Sequence, residues 1–158
     1  MKASLVILCL FIIGLFYSCI NIYNDISKDV EFKHLIKNCF ELKEDVFLVY
    51  FTECKSFALE AAGLSSTFPP TISAYYDNPT GWDISLVKVV GVIPKGTKLT
   101  IHRIVSKSNI ESYFVSFYAK VDDPRYSHLE IDILFLLNSN FSEKQYSIEE
   151  HYLQYSSE

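Results

Sequence analysis

At 158 residues and 18.2 kDa the chain has room for one ordinary domain. A 49% share of hydrophobic residues with only five Gly and five Pro excludes wholesale disorder. Fourteen Lys plus Arg against nineteen Asp plus Glu give a formal charge of -5, which repels a phosphate backbone, so no nucleic acid partner is expected.

The first eighteen residues carry Lys2 as their only charge, followed by an apolar run from Leu5 to Tyr17, and no acidic residue precedes Asp25. That run has the length of a signal-peptide core and falls short of the ~20 residues a membrane-spanning helix needs. Phe16-Tyr17-Ser18-Cys19 then sets a small residue directly before a cysteine, which resembles the lipobox of bacterial lipoproteins. The resemblance implies that residues 1–18 are a signal peptide cleaved after Ser18 and that Cys19 is acylated and holds the chain on a membrane. Ile20 stands where an Asp would favour inner-membrane retention, so the resemblance implies an outer-membrane lipoprotein of the cell envelope, facing the periplasm. Phe16 and Tyr17 depart from the usual Leu and small residue of that motif. A plain cleaved signal and an uncleaved anchor are the alternatives. Loss of Lys2 leaves 13 basic and 19 acidic side chains, a mature charge of -6 over 140 residues.

Residues 19–28 read as a tether and 29–158 as a single β-rich domain. Between Val30 and Phe40, apolar residues at 32, 35, 36, 39 and 40 follow the spacing of one helical face and predict a short N-terminal helix. VFLVYF at 46–51 is a β-branched and aromatic run that predicts a buried strand. Cys39 and Cys54 flank this region and form a disulfide candidate in an oxidising compartment. A bridge between them would close a 16-residue loop and stabilise the fold by ~3 kcal/mol. Two separate thiols packed as small hydrophobes are the other reading. Neither has a Cys or His at the spacing of a zinc cluster, and no metal or cofactor is expected.

Pro69-Pro70, Pro79, Gly63 and Gly81 break residues 55–83 and predict one long irregular connection. Four strands are expected after it, at Ile84–Ile93, Lys98–Val105, Ser112–Val121 and Leu129–Leu137. In the third, Tyr113, Val115, Phe117, Ala119 and Val121 share one face with Ser116 and Lys120 opposite; in the fourth, Ile131, Ile133, Phe135 and Leu137 oppose Glu130 and Asp132. The C-terminal YSIEEHYLQY fits a covering helix or an edge strand. Five or six short strands with few helices predict a mainly β fold, a small closed or half-closed antiparallel barrel, an arrangement that removes exposed edges. NCFELKEDVFLVYFTEC and VVGVIPKGTKLTIHRIV resemble the layout of small uncharacterised bacterial envelope lipoproteins with an SH3-like barrel, a resemblance that implies a fold and no reaction.

No GxSxG, HExxH, P-loop, GxGxxG or EF-hand loop is present, and His34, His102, His128 and His151 are scattered. Asp122, Asp123, Glu130 and Asp132 form the densest acidic group, and alternation assigns Glu130 and Asp132 to a solvated strand face. No enzyme is expected. The binding candidates are Phe68, Tyr75, Tyr76, Trp82 and Asp83, because Tyr and Trp offer large rigid contact area with a polar handle. The same aromatics fold equally well over the core as a lid. The expectation is a protein partner for an acidic, anchored domain, in the manner of immunity proteins that block a secreted effector; a carbohydrate or peptidoglycan module built on Tyr75, Tyr76 and Trp82 is the alternative.

Overall fold

Alternating and β-branched sequence favours strands, and strands dominate the computed structural model, which describes residues 22–63, 68–82, 86–108, 112–140 and 145–156. The leader and Cys19 lie outside the described residues. In chain order the strands are β1 (Ile22–Asp25), β2 (Cys39–Leu42), β3 (Val46–Phe51), β4 (Ser56–Ala61), β5 (Val87–Ile93), β6 (Lys98–Ser108), β7 (Tyr113–Val121), β8 (Ile131–Asp132), β9 (Leu137–Asn140), β10 (Gln145–Ile148) and β11 (Leu153–Tyr155). One helix, α1 (Ile72–Asp77), and 3-10 turns at Val30–Phe32, Pro79–Trp82 and Leu134–Leu136 interrupt them.

The main sheet runs β11-β2-β6-β7-β8-β4-β3-β5 and is antiparallel except for the short pair β4 and β8. The strands β9 and β10 form a separate hairpin. The closed form of the expected barrel is not made: the sheet ends at β11 and β5, and its two halves meet at the parallel pair β4 and β8, a crossover that an up-and-down barrel lacks. The long β6 carries β7 along one side and β1 and β2 end to end along the other. Residues 22–25, expected in the tether, thus belong to the sheet.

Three other local expectations are corrected, and one of two alternatives is resolved. Phe32 and Leu35 are buried as the helical spacing requires, but the backbone there is a 3-10 turn followed by hydrogen-bonded turns, ending at Lys37 with φ 64. The irregular segment at 55–83 contains β4, because the turn at Thr52–Lys55 returns the chain along β3, with Lys55 at φ 52. The expected strand Leu129–Leu137 breaks after Asp132, whose Oδ1 accepts the backbone N–H of both Phe117 and Leu134, at 3.0 and 3.1 Å. The C-terminal segment takes the strand form of its two expected readings: it forms β10 and then β11, which lies at the edge of the sheet.

The two faces of the sheet carry different apolar clusters. The larger buries Phe32, Phe40, Leu48, Leu99, Ile104 and Phe117 among others, each worth ~1.5–3 kcal/mol of transfer free energy. The smaller buries Phe47, Val49, Ala58, Phe68, Val87 and Val89. Phe135, expected in the core, is exposed because the 3-10 turn at 134–136 rotates it outward, and Leu136 takes the inward place. Gly91 lets Tyr126 lie directly on β5: a Cβ there would come within 2.6 Å of the Tyr126 hydroxyl.

Cys39 and Cys54 are free thiols, so the expected bridge is not made. A disulfide needs Cα atoms within about 7 Å. Along the sheet, β6, β7 and β8 stand between β2, which holds Cys39, and the β3-β4 hairpin, whose turn holds Cys54. The Cys54 thiol instead meets Ser56 Oγ at 2.9 Å.

Candidate functional site

The aromatic segment between β4 and β5 folds onto the smaller cluster as a lid. Thr71 caps the short α1, its Oγ1 accepting the Ala74 N–H at 3.1 Å, and the Asn78 N–H closes the other end on Tyr75 O. The helix sets Tyr75 edge-on against Phe47, ring centres 5.6 Å apart at 66°. Phe68 is buried, and Tyr75 and Trp82 are half-buried against the same cluster. The Trp82 indole N–H is buried with no hydrogen-bond partner among the described residues. Of the expected binding residues, Phe68, Tyr75 and Trp82 thus serve the lid, and Tyr76 alone faces solvent, at 65% exposure. Asp83 lies outside the described residues. An open stacking platform of Tyr75, Tyr76 and Trp82 is not what this geometry provides.

Two carboxyl groups lie on the face that the lid covers. Glu60 is 4% exposed, directly across from Phe47 in the sheet, and desolvation with the neighbouring Asp132 pushes its carboxyl up to about 7. Burial also raises Asp132, against hydrogen bonds from Ser116 and the Phe117 and Leu134 amides. The expectation that Asp132 is solvated is thereby corrected: β8 pairs it with Ala58 on one side and Tyr118 on the other, inside the sheet. Glu60 is closed to solvent, and Asp132 Oδ1 holds two backbone amides.

Glu130 is solvated as expected, and it is paired. The β6-β7 register skips His102, a bulge that directs His102 and Arg103 together toward Glu130. His102 Nε2 meets Glu130 Oε1 at 3.0 Å and Arg103 Nη2 donates to Oε2 at 2.5 Å. Arg103 also lies over the Tyr118 ring, 4.8 Å from its centre. Asp123 is held by Arg125, whose Nε and Nη2 both donate to it. The hydrogen bonds from Arg125 keep the Asp123 carboxyl below its ordinary value.

The residues that the sequence left unmarked are at the end of the sheet. Strand β5 is terminal and pairs only with β3 among the described residues. Leu86 just before it and Val90 on it are 49% and 43% exposed, and the lid's 3-10 turn packs beside it. The signal for this edge is weak, because Val90 is exposed in step with Lys88 yet is as apolar as its buried neighbours Val87 and Val89. Glu60 had a clearer signal, lying between Ala58 and Ala62 in an otherwise apolar run. No family model, no curated protein and no solved structure matches this chain.

Proposed function

We propose that this chain is a non-catalytic, lipid-anchored protein of the bacterial cell envelope. It binds another protein through the β5 edge and the lid beside it, as an immunity or inhibitor protein against a secreted basic effector. The observation that carries the reading is the terminal strand with exposed Leu86 and Val90, close to a lid whose Tyr76 ring is open. An open edge offers a row of backbone donors and acceptors to an added strand, and apolar side chains next to it give that addition specificity. The charge of -5 speeds encounter with a basic partner. Three of the candidate carboxylates are engaged elsewhere: Glu130 with His102 and Arg103, Asp123 with Arg125, and Asp132 with the backbone. A carbohydrate or peptidoglycan module is the second reading, favoured by a cleft of about 570 Å³ where Glu44, Asp45 and His151 meet Tyr152.

A photo-crosslinking residue placed at Val90 or Tyr76 in the native envelope tests the choice. The protein reading expects one discrete basic partner at both positions and none from a probe at Tyr155 on the opposite edge strand. No captured protein at either position, from a chain retained on isolated peptidoglycan, overturns it in favour of the glycan module.

A further inference from the structure

Although the chain is acidic, three of its lysines converge. Between β1 and β2 the backbone leaves the side of β6 and makes an excursion through residues 26–38, and Lys28, Lys33 and Lys37 all lie on it. With Asp25, Ser27, Ile36 and His102 they line a pocket of about 490 Å³ between the excursion and β6. Both ends of the excursion are tied to that strand: the Ile26 N–H donates to Ile104 O at 3.0 Å and the Lys37 N–H to Ile101 O at 2.9 Å. Ser27 Oγ accepts the Ile104 N–H at 2.8 Å, a further tie.

Two features at this place run against local preference. Lys37 is held at φ 64, the left-handed region that a residue with a Cβ enters only at a cost. The β6 bulge at His102 turns that side chain onto the pocket wall. Asp25 is the one carboxylate among the lining residues just named, and Ser27 occupies its Oδ1 with both its N–H and its hydroxyl, at 3.0 and 2.6 Å. Glu130 is the carboxylate facing His102 and is shared with Arg103. Three lysines therefore line a pocket whose single carboxylate has its Oδ1 engaged by Ser27, a lining that suits a compact anion.

We infer that this pocket binds the phosphate of an anionic phospholipid headgroup in the bilayer that carries the chain. The inference rests on the reading of Cys19 as the acylated residue. Only residues 20 and 21 stand between Cys19 and β1, whose last residue, Asp25, is in the pocket wall. Six residues at no more than ~3.6 Å each keep the pocket within roughly 20 Å of the acylated residue. At that distance the lysines meet the headgroup layer, and each lysine close to an anionic surface strengthens attachment by roughly fivefold.

The test is lysine footprinting of the full chain, purified from membranes and placed in nanodiscs of phosphatidylcholine alone or with one third phosphatidylglycerol. Acetylation is read residue by residue by mass spectrometry. Phosphatidylglycerol is expected to slow labelling of Lys28, Lys33 and Lys37 by roughly fivefold or more, leaving Lys88 and Lys95 unchanged. Inorganic phosphate added to phosphatidylcholine discs is expected to protect them less than about twofold. A double variant, Lys33→Gln with Lys37→Gly, removes two charges where glycine accepts the backbone, and should restore Lys28 labelling in phosphatidylglycerol. Equal labelling in the two discs overturns the inference, and so does full protection by inorganic phosphate alone. The intact mass of the same preparation separates the two readings. An unacylated chain that keeps its leader overturns the anchor, while the footprint judges the pocket by itself.

Discussion

The Glu60 carboxyl fixes how stability should respond to pH. Its ordinary value of 4.5 is raised to about 7 in the folded chain. Between those two values the folded state holds a proton that the unfolded state releases, so stability is highest below about 4.5, falls as pH rises toward 7 and levels off above it. The difference corresponds to about 3 kcal/mol at most, and Asp132 shifts in the same direction. Asp25, Asp123 and Glu130 are lowered and act in the opposite sense below pH 4.5, but Asp25 and Glu130 are exposed and Asp123 is paired with an exposed Arg125, so solvent screening leaves their contribution small. Urea unfolding should therefore give a midpoint higher at pH 5 than at pH 8. Glu60→Gln should flatten most of that slope and raise the midpoint at pH 8, because an amide buries no charge. A wild-type midpoint equal at both pH values, or lower at pH 5, would show that the carboxyl is not enclosed as described.

Whether a stretch of sequence declares its element depends on whether one local rule suffices. The run that became β3 is legible because an unbroken β-branched and aromatic stretch is buried on both faces, and β7 because alternation and burial agree: Val115, Phe117, Ala119 and Val121 face the larger core as their spacing requires. Where a side chain overrules the backbone, legibility ends. Asp132 captures two amides and cuts a nine-residue apolar alternation down to a two-residue strand. Lys37 and Lys55 take left-handed conformations that no propensity would assign to lysine. The lid is an intermediate case. Its aromatics were visible, but their direction depends on Phe47 and the cap at Thr71, both remote from what composition reports. Thr71→Ala should destabilise α1 by about 1 kcal/mol and loosen the lid ahead of the sheet. Trp82 is the sole tryptophan, so its emission should shift red and become more accessible to acrylamide at a urea concentration where β-sheet circular dichroism is unchanged. Loss of both signals together at one midpoint would mean that lid and sheet unfold as one unit.

For the whole molecule, the decisive property is whether the sheet closes, which no single segment encodes. Closure depends on whether the first and last strands of the sheet meet, and here the two-residue β8, antiparallel to β7 and parallel to β4, links the two groups and leaves β5 terminal. The leftover edge has a measurable consequence when no partner is present. Two copies can pair β5 to β5, burying Val90 and Leu86, but both copies carry net negative charge, so electrostatic repulsion opposes the contact. Screening removes that opposition: the Debye length falls from about 30 Å at 0.01 M salt to about 3 Å at 1 M. A chain starting at Asn21 keeps every described residue. Sedimentation velocity on it should show weak, concentration-dependent dimerisation that strengthens with salt, the reverse of what an ion-paired interface would do. Val90→Lys sets two like charges at the centre of the contact and should abolish dimerisation at low salt while leaving the unfolding midpoint within about 0.5 kcal/mol of wild type, since Val90 is exposed. A dimer that persists in Val90→Lys, or weakens as salt is raised, would place the contact on another face and remove the support that the β5 edge lends to partner binding.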